Sequence, residues 1–193
     1  MNGFRAIILG FSLLALAACT SAYKVEVTRF HGLAAGGGQT FRVVPAEGVA
    51  DDLEFKSYAG IVANRLEAAG FKLVFTGEPD LVAAVQYGAT PDPAYRSGGG
   101  FSIGLGAGSF GRNVGGGVGA SVPVTGGNAE YYLQSLTLAL KLASTGVSVF
   151  EGRALAHDKN PNAVLAVTKL AEALFTDFPG RSGETITVTL KTE

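Results

Sequence analysis

Glu130-Tyr131-Tyr132-Leu133-Gln134-Ser135-Leu136-Thr137-Leu138-Ala139-Leu140-Lys141-Leu142, followed by Ala143-Ser144-Thr145-Gly146 and then Val147-Ser148-Val149-Phe150-Glu151-Gly152-Arg153-Ala154-Leu155-Ala156, decides the fold. Tyr132, Gln134, Leu136, Leu138, Leu140 and Leu142 fall on one side of an extended chain. Tyr131, Leu133, Ser135, Thr137, Ala139 and Lys141 fall on the other, which is the period of a strand with one buried face. The Ala143–Gly146 link is short enough only for a hairpin, so the return run pairs antiparallel with the first. Gly152 reads as a bulge in that return strand. The architecture is therefore antiparallel around a central pair.

Working outward, His157 to Asn162 is a polar loop in which Asn160 is placed to cap a helix and Pro161 to occupy its first position. Val164, Val167, Thr168, Ala171, Leu174 and Phe175 form the apolar stripe of that helix, and Phe178-Pro179-Gly180 ends it. Glu184 to Leu190 is a final strand, with Ile186, Val188 and Leu190 alternating against threonines. Upstream, Leu81, Ala83, Val85 and Tyr87 share one face of a central strand entered from the turn Gly77-Glu78-Pro79-Asp80. Before it, Phe55, Tyr58, Val62, Leu66 and Ala69 recur three or four apart, predicting an amphipathic helix. Gly70 is its C-terminal cap, Asp51-Asp52 favour its positive end, and Phe71 to Phe75 continues as a strand. Tyr23 to Phe30 and Thr40 to Val44 are extended runs that pair as a hairpin across Gly32 to Gly38. Thr90 to Ser97 is a loop. The sum is an α+β fold: a single domain over residues 25–191 with a mostly antiparallel β-sheet and two amphipathic helices packed on one face.

Between residues 98 and 119 the composition changes, with 11 glycines in 22 residues. Phe101, Ile103, Leu105 and Ala107 alternate with serine and glycine, and Val118, Ala120, Val122 and Val124 do so again beyond Gly111-Arg112-Asn113. A glycine-rich β-ribbon, apolar on one side, accounts for the alternation; a flexible loop accounts for the glycine content. Pro123 requires a strand edge or end. Bare backbone permits close approach, so Phe101, Ile103, Leu105, Arg112, Val118 and Val122 are the candidate interaction residues, for a partner's strand edge or for oligomerisation with another copy. The segment is no phosphate loop. It lacks a Gly-Lys-Ser/Thr ending, and Glu130 is the only acidic residue near the spacing that a dinucleotide fold requires.

At the other end, Met1-Asn2-Gly3-Phe4-Arg5 carries one side-chain positive charge and leads into an apolar run from Ala6 to Ala18, closed by Leu16-Ala17-Ala18-Cys19. A positive start, a short hydrophobic run and small residues before a cut point mark a secretory signal over residues 1–18. The run falls short of the roughly 20 residues that cross a bilayer as a helix. Cys19, the only cysteine, stands directly after the cut point, and the pattern resembles the lipobox of bacterial lipoproteins. That resemblance implies acylation of Cys19, anchoring to membrane lipid, and residues 19–24 as a lipidated tether. Thr20, where inner-membrane retention would favour aspartate, implies an outer-membrane lipoprotein facing the periplasm.

The 175 residues from Cys19 onward suffice for one respectable core. With 14 Lys and Arg against 16 Asp and Glu they are nearly neutral, which gives no case for nucleic acid. No thiol remains for a disulfide once Cys19 is acylated. His31 and His157 have no second histidine or cysteine at metal spacing, and Asp158 beside His157 is too small a set; both histidines read as surface or cap-supporting. No serine lies in a Gly-x-Ser-x-Gly elbow, and Ser109 sits among the ribbon glycines. No catalytic, metal or cofactor residue is assigned, and the chain is read as a non-enzyme.

Taken in order, the helix with Phe55, Tyr58, Ile61 and Leu66, then Gly70-Phe71, Pro79-Asp80-Leu81-Val82-Ala83, the glycine-rich middle, Leu136 to Leu140, Phe150 to Ala154, and Ala171 to Pro179 form a pattern. It resembles bacterial envelope lipoproteins carrying a small α+β domain of unknown function, over about residues 20–191. Phe150 and the Phe55 to Tyr58 pair stand where many members carry tryptophan. The resemblance brings no reaction or cofactor. It implies a periplasmic lipoprotein with a structural or adaptor role, meeting an envelope protein partner through protein contacts. The other functional class is a module binding a small apolar ligand or lipid between helices and sheet. An enzyme would require His31 or His157 to converge with acidic or hydroxyl groups in a cleft.

Overall fold

A computed structural model describes residues 22–33, 37–93, 95 and 130–191. The elements in chain order are β1 (Ala22–His31), β2 (Thr40–Pro45), α1 (Leu53–Ala68), β3 (Lys72–Leu73), β4 (Leu81–Pro91), β5 (Tyr132–Leu142), β6 (Ser148–Asp158), α2 (Ala163–Phe175) and β7 (Glu184–Lys191). Among the described residues the strands form one sheet of order β3-β2-β4-β5-β6-β1-β7. β2 runs parallel to β3 and β4, and every other pairing is antiparallel.

The sheet grows from β4, β5 and β6, whose alternation was plain in the sequence. β4 and β5 pair without interruption from Leu81 opposite Leu142 to Pro91 opposite Tyr132. β5 meets β6 from Tyr132 opposite Asp158 to Leu140 opposite Phe150, with a register shift between Leu140 and Lys141. The inward positions Leu81, Ala83, Val85, Leu136, Leu138, Leu140, Phe150, Ala154 and Ala156 are buried together with Val25 and Val27 of β1. Both helices cover this face, α1 with Phe55, Tyr58, Val62 and Leu66 and α2 with Val167, Leu170, Ala171 and Leu174. Each of the larger side chains contributes about 1.5–3 kcal/mol by leaving water. These contacts carry the fold, and the expected α+β class is the observed one.

Local chemistry sets the ends of α1. The Asp52 carboxylate accepts the Phe55 N–H at 2.8 Å and satisfies one of the orphan donors of the first turn. At the other end Gly70 has φ +96, and its N–H donates to Glu67 O at 3.0 Å while that of Phe71 donates to Leu66 O at 3.1 Å. This pair of bonds is the Schellman stop, and it requires a residue free to adopt positive φ.

Several expectations are corrected. β1 and β2 do not form a hairpin: β1 lies between β6 and β7, while β2 lies between β3 and β4. β1 begins at Ala22, inside the stretch read as tether, and β4 and β6 run further than their apolar patterns, to Pro91 and Asp158. Of Phe71 to Phe75 only Lys72 and Leu73 are strand. The cap of α2 is Asn162, whose side chain accepts the Leu165 N–H at 2.9 Å; Asn160 instead accepts the Asn162 N–H one turn earlier. The buried face of α2 is turned from the expected stripe, with Val164 49% exposed and Ala166 and Leu170 buried. Gly152 is no bulge, being paired in register with Leu138 and Arg29. A Cβ there would lie 2.8 Å from Leu174 Cδ1 and from Phe150 Cε1, so glycine lets α2 settle on the sheet.

Candidate functional site: the base of the glycine-rich segment

Cys19 and the candidate interaction residues Phe101, Ile103, Leu105, Arg112, Val118 and Val122 lie outside the described residues. The structure does describe where the chain leaves β4 toward that segment and where it returns to β5. Asp92 follows β4 directly and its N–H donates to Tyr131 O at 2.7 Å, tying the outgoing chain to the incoming one. The Tyr95 N–H lies 3.2 Å from both the Asp92 carboxylate and the Asp92 carbonyl oxygen, to which it donates.

His157, at the end of β6, completes the cluster. Its Nε2 lies 2.9 Å from Asp92 Oδ2. A carboxylate only accepts, so the imidazole donates from Nε2. The Tyr95 ring lies flat on the imidazole, with centroids 3.8 Å apart and planes 6° from parallel, and meets Tyr131 edge-on at 4.9 Å. Lys159 Nζ stands 5.1 Å from the Tyr131 ring centroid. The His157 side chain is 7% exposed, which corrects the surface reading, and its acidic partner is Asp92 rather than the adjacent Asp158. Asp158 instead meets Lys169 Nζ at 3.4 Å. The arrangement can fix the spacing and direction of two chain ends. Among the described residues no group of three or more histidine, cysteine, aspartate and glutamate side chains is placed to hold a metal ion.

Two further polar groups are buried for structural reasons. Arg29 of β1 is 3% exposed and reaches the end of α2, donating from Nε to Leu174 O at 3.1 Å and from Nη2 to Ala173 O at 3.2 Å and Thr176 O at 2.7 Å. Burial lowers the guanidinium's pKa from its usual value, and Asp177 acts against that. Gln134 of β5 is fully buried, accepting the Tyr23 hydroxyl at 3.2 Å and donating to Asn160 O at 2.8 Å. Burial pushes the Tyr23 hydroxyl well above the ordinary tyrosine range, with Asp158 adding to the shift. The alternation placed Gln134 on the leucine face of β5 without showing its partners, and it did not single out Arg29, although each is a polar side chain at an inward position of a strand. His31 supports the end of the fold, with Nε2 3.1 Å from Gly180 O and its N–H donating to Ser182 Oγ at 2.9 Å. Beside it, Phe30, Gly32, Val149 and Glu151 line an open depression of about 300 Å³.

The fold and this base define an α+β domain with one mixed sheet, helices on one face, and a long insertion between two central strands. The chain belongs to the family described as Domain of unknown function (DUF4136), whose model matches residues 28–180. It is 28% identical to an uncharacterized protein of Zymomonas mobilis subsp. mobilis over an alignment covering 83% of this chain and 78% of that one. Among solved structures it is similar to PelC dodecamers from Paraburkholderia phytofirmans, with TM-scores of 0.44 and 0.43 and 15% and 14% identity, over 76% of this chain and 91% of theirs. It is also similar to a PDZ domain protein from Parabacteroides distasonis, with a TM-score of 0.47 and 14% identity, over 97% of this chain and 43% of that one. These are distant likenesses that carry nothing about role.

Proposed function

We propose that the chain is an envelope lipoprotein, anchored by acylated Cys19 in the outer membrane and facing the periplasm, that serves as a structural or adaptor module through protein contacts. What supports the reading is how few residues separate Cys19 from the first strand. β1 begins at Ala22, three residues beyond Cys19. At the roughly 3.3–3.6 Å per residue of extended chain, the sheet starts within about 10 Å of the anchor. Such a body is held close to the lipid surface and presents its loops to neighbours there. The residues proposed to make contact are Phe101, Ile103, Leu105, Arg112, Val118 and Val122, in the segment whose two ends Asp92, Tyr95, Tyr131 and His157 hold together.

Packing supports the adaptor role over carriage of an apolar ligand. The space between helices and sheet is filled by Val62, Leu66, Leu136, Leu138, Leu170 and Leu174, all fully buried. The test is affinity capture of the full chain from solubilised envelopes beside a variant lacking residues 98–119. Partners reproducibly held by the full chain and lost by the deletion support the adaptor role. The same partners on both chains would remove the segment from the contact, and a bound lipid with no protein partner would favour the ligand module.

A further inference from the structure

We propose that β7 pairs antiparallel with β7 of a second copy of this chain, across a two-fold axis at Val188. β7 pairs with β1 along its whole length, from Ala22 opposite Lys191 to Arg29 opposite Glu184. On its other side no strand follows it among the described residues, since the sheet order ends there. The opposite edge of the sheet is blunted in a familiar way, because β3 is two residues long and carries the exposed Lys72. Among the described residues β7 is eight residues long, largely exposed, and has no proline and no charged side chain between Glu184 and Lys191, which are common ways of protecting an edge strand. Between Glu184 and Lys191 it reads Thr185-Ile186-Thr187-Val188-Thr189-Leu190, uncharged and almost wholly β-branched.

The alternation makes this edge complementary to itself. With two strands antiparallel about Val188, Val188 faces its own copy, Ile186 faces Leu190 of the second copy, and Thr187 faces Thr189. One face becomes an apolar row continuing from Val188 and Leu190, which already pack against the core, and it covers Ile186, now 37% exposed. The other face becomes a threonine row, extending the Thr28 to Thr185 hydroxyl bond of 2.8 Å within one copy. Antiparallel pairing brings the Glu184 end toward the Lys191 end of the copy, whereas parallel pairing would set like charges together. A second copy therefore matches apolar row, threonine row and end charges at once. One strand pair is a small interface, so the dimer fraction rises with concentration.

The test uses the full chain in its own membrane, where wild-type protein with Cys19 alone gives the background. Residues facing across the axis have Cα atoms within about 4.5–5.5 Å, inside disulfide range. Val188→Cys should give an oxidised homodimer at least several-fold above background, and Thr187→Cys markedly less. Thr187→Cys combined with Thr189→Cys repeats the test on exposed positions should Val188→Cys not fold. Thr187→Lys with Thr189→Lys should abolish the dimer in sedimentation and leave the thermal midpoint near wild type. Background-level cross-linking of a folded Val188→Cys chain, stronger cross-linking at position 187 than at 188, or adducts only with another protein would each overturn the proposal.

Discussion

Replacing Arg29 by Met tests how the sheet and α2 are held together. α2 has no basic residue in its last turn; Arg29 supplies donors to Leu174 O and Thr176 O, and a second donor to Ala173 O, which also accepts the Thr176 N–H at 3.3 Å. Each bond to a charged donor contributes about 1.5–3 kcal/mol, and a buried carbonyl left without a partner costs a comparable amount. Against this, methionine removes the several kcal/mol spent in taking a guanidinium out of water. The cation's attraction to the negative end of the helix adds up to about 2 kcal/mol in a buried setting. The balance is a loss of about 3 kcal/mol for Arg29→Met. Arg29→Lys should fall between it and wild type, because an ammonium lacks the planar fork that reaches three oxygens. Urea unfolding followed by circular dichroism measures both, with an unchanged slope expected. A loss below about 1 kcal/mol for Arg29→Met would refute the claim that these bonds join β1 to α2.

Other outcomes follow from single contacts. Gly152→Ala forces a methyl against Leu174 and Phe150 and should cost about 1–3 kcal/mol in the same unfolding assay. His157→Leu gives up both the bond to Asp92 and the stacking on Tyr95, and a loss of about 1–2 kcal/mol is expected. Asp80 accepts the hydroxyl and the N–H of Thr40, both at 2.7 Å, and these bonds hold its carboxyl below the usual aspartate value. A depressed folded pKa stabilises fully above the unfolded value and is lost as pH falls through the folded one. Asp80→Asn should therefore flatten the acid side of the stability profile below about pH 4 and change nothing in its shape near neutrality.

β5 and β6 were legible because each buries one face, so residue type follows the pleat. Helix boundaries were legible where a single chemistry decided them, as at Gly70, while Asp52 was legible only as a charge at the positive end of α1 and not as its cap. They were not at α2, where Asn160-Pro161 and Asn162 offer rival starts and an all-round supply of alanine, leucine and valine leaves the buried face undetermined. The neighbours of β1 were hidden because its partners β6 and β7 are far along the chain, while the nearby glycines imitate a turn. The site divides in the same way. Tyr95 and Tyr131 flank the glycine-rich segment in plain view, but the pairing of His157 with Asp92 joins residues far apart in sequence and becomes visible only when β4, β5 and β6 lie side by side. Arg29 and Gln134 did leave a trace, as polar residues at inward positions of alternating strands.

Attachment through Cys19 decides where the domain sits, and intact mass spectrometry of the native protein from membranes reads it. The expected product begins at Cys19 and carries fatty-acyl mass on that residue, and Cys19→Ser releases the chain from the membrane fraction. A mature terminus without lipid, or a Cys19→Ser chain retained in the membrane as firmly as wild type, would contradict it.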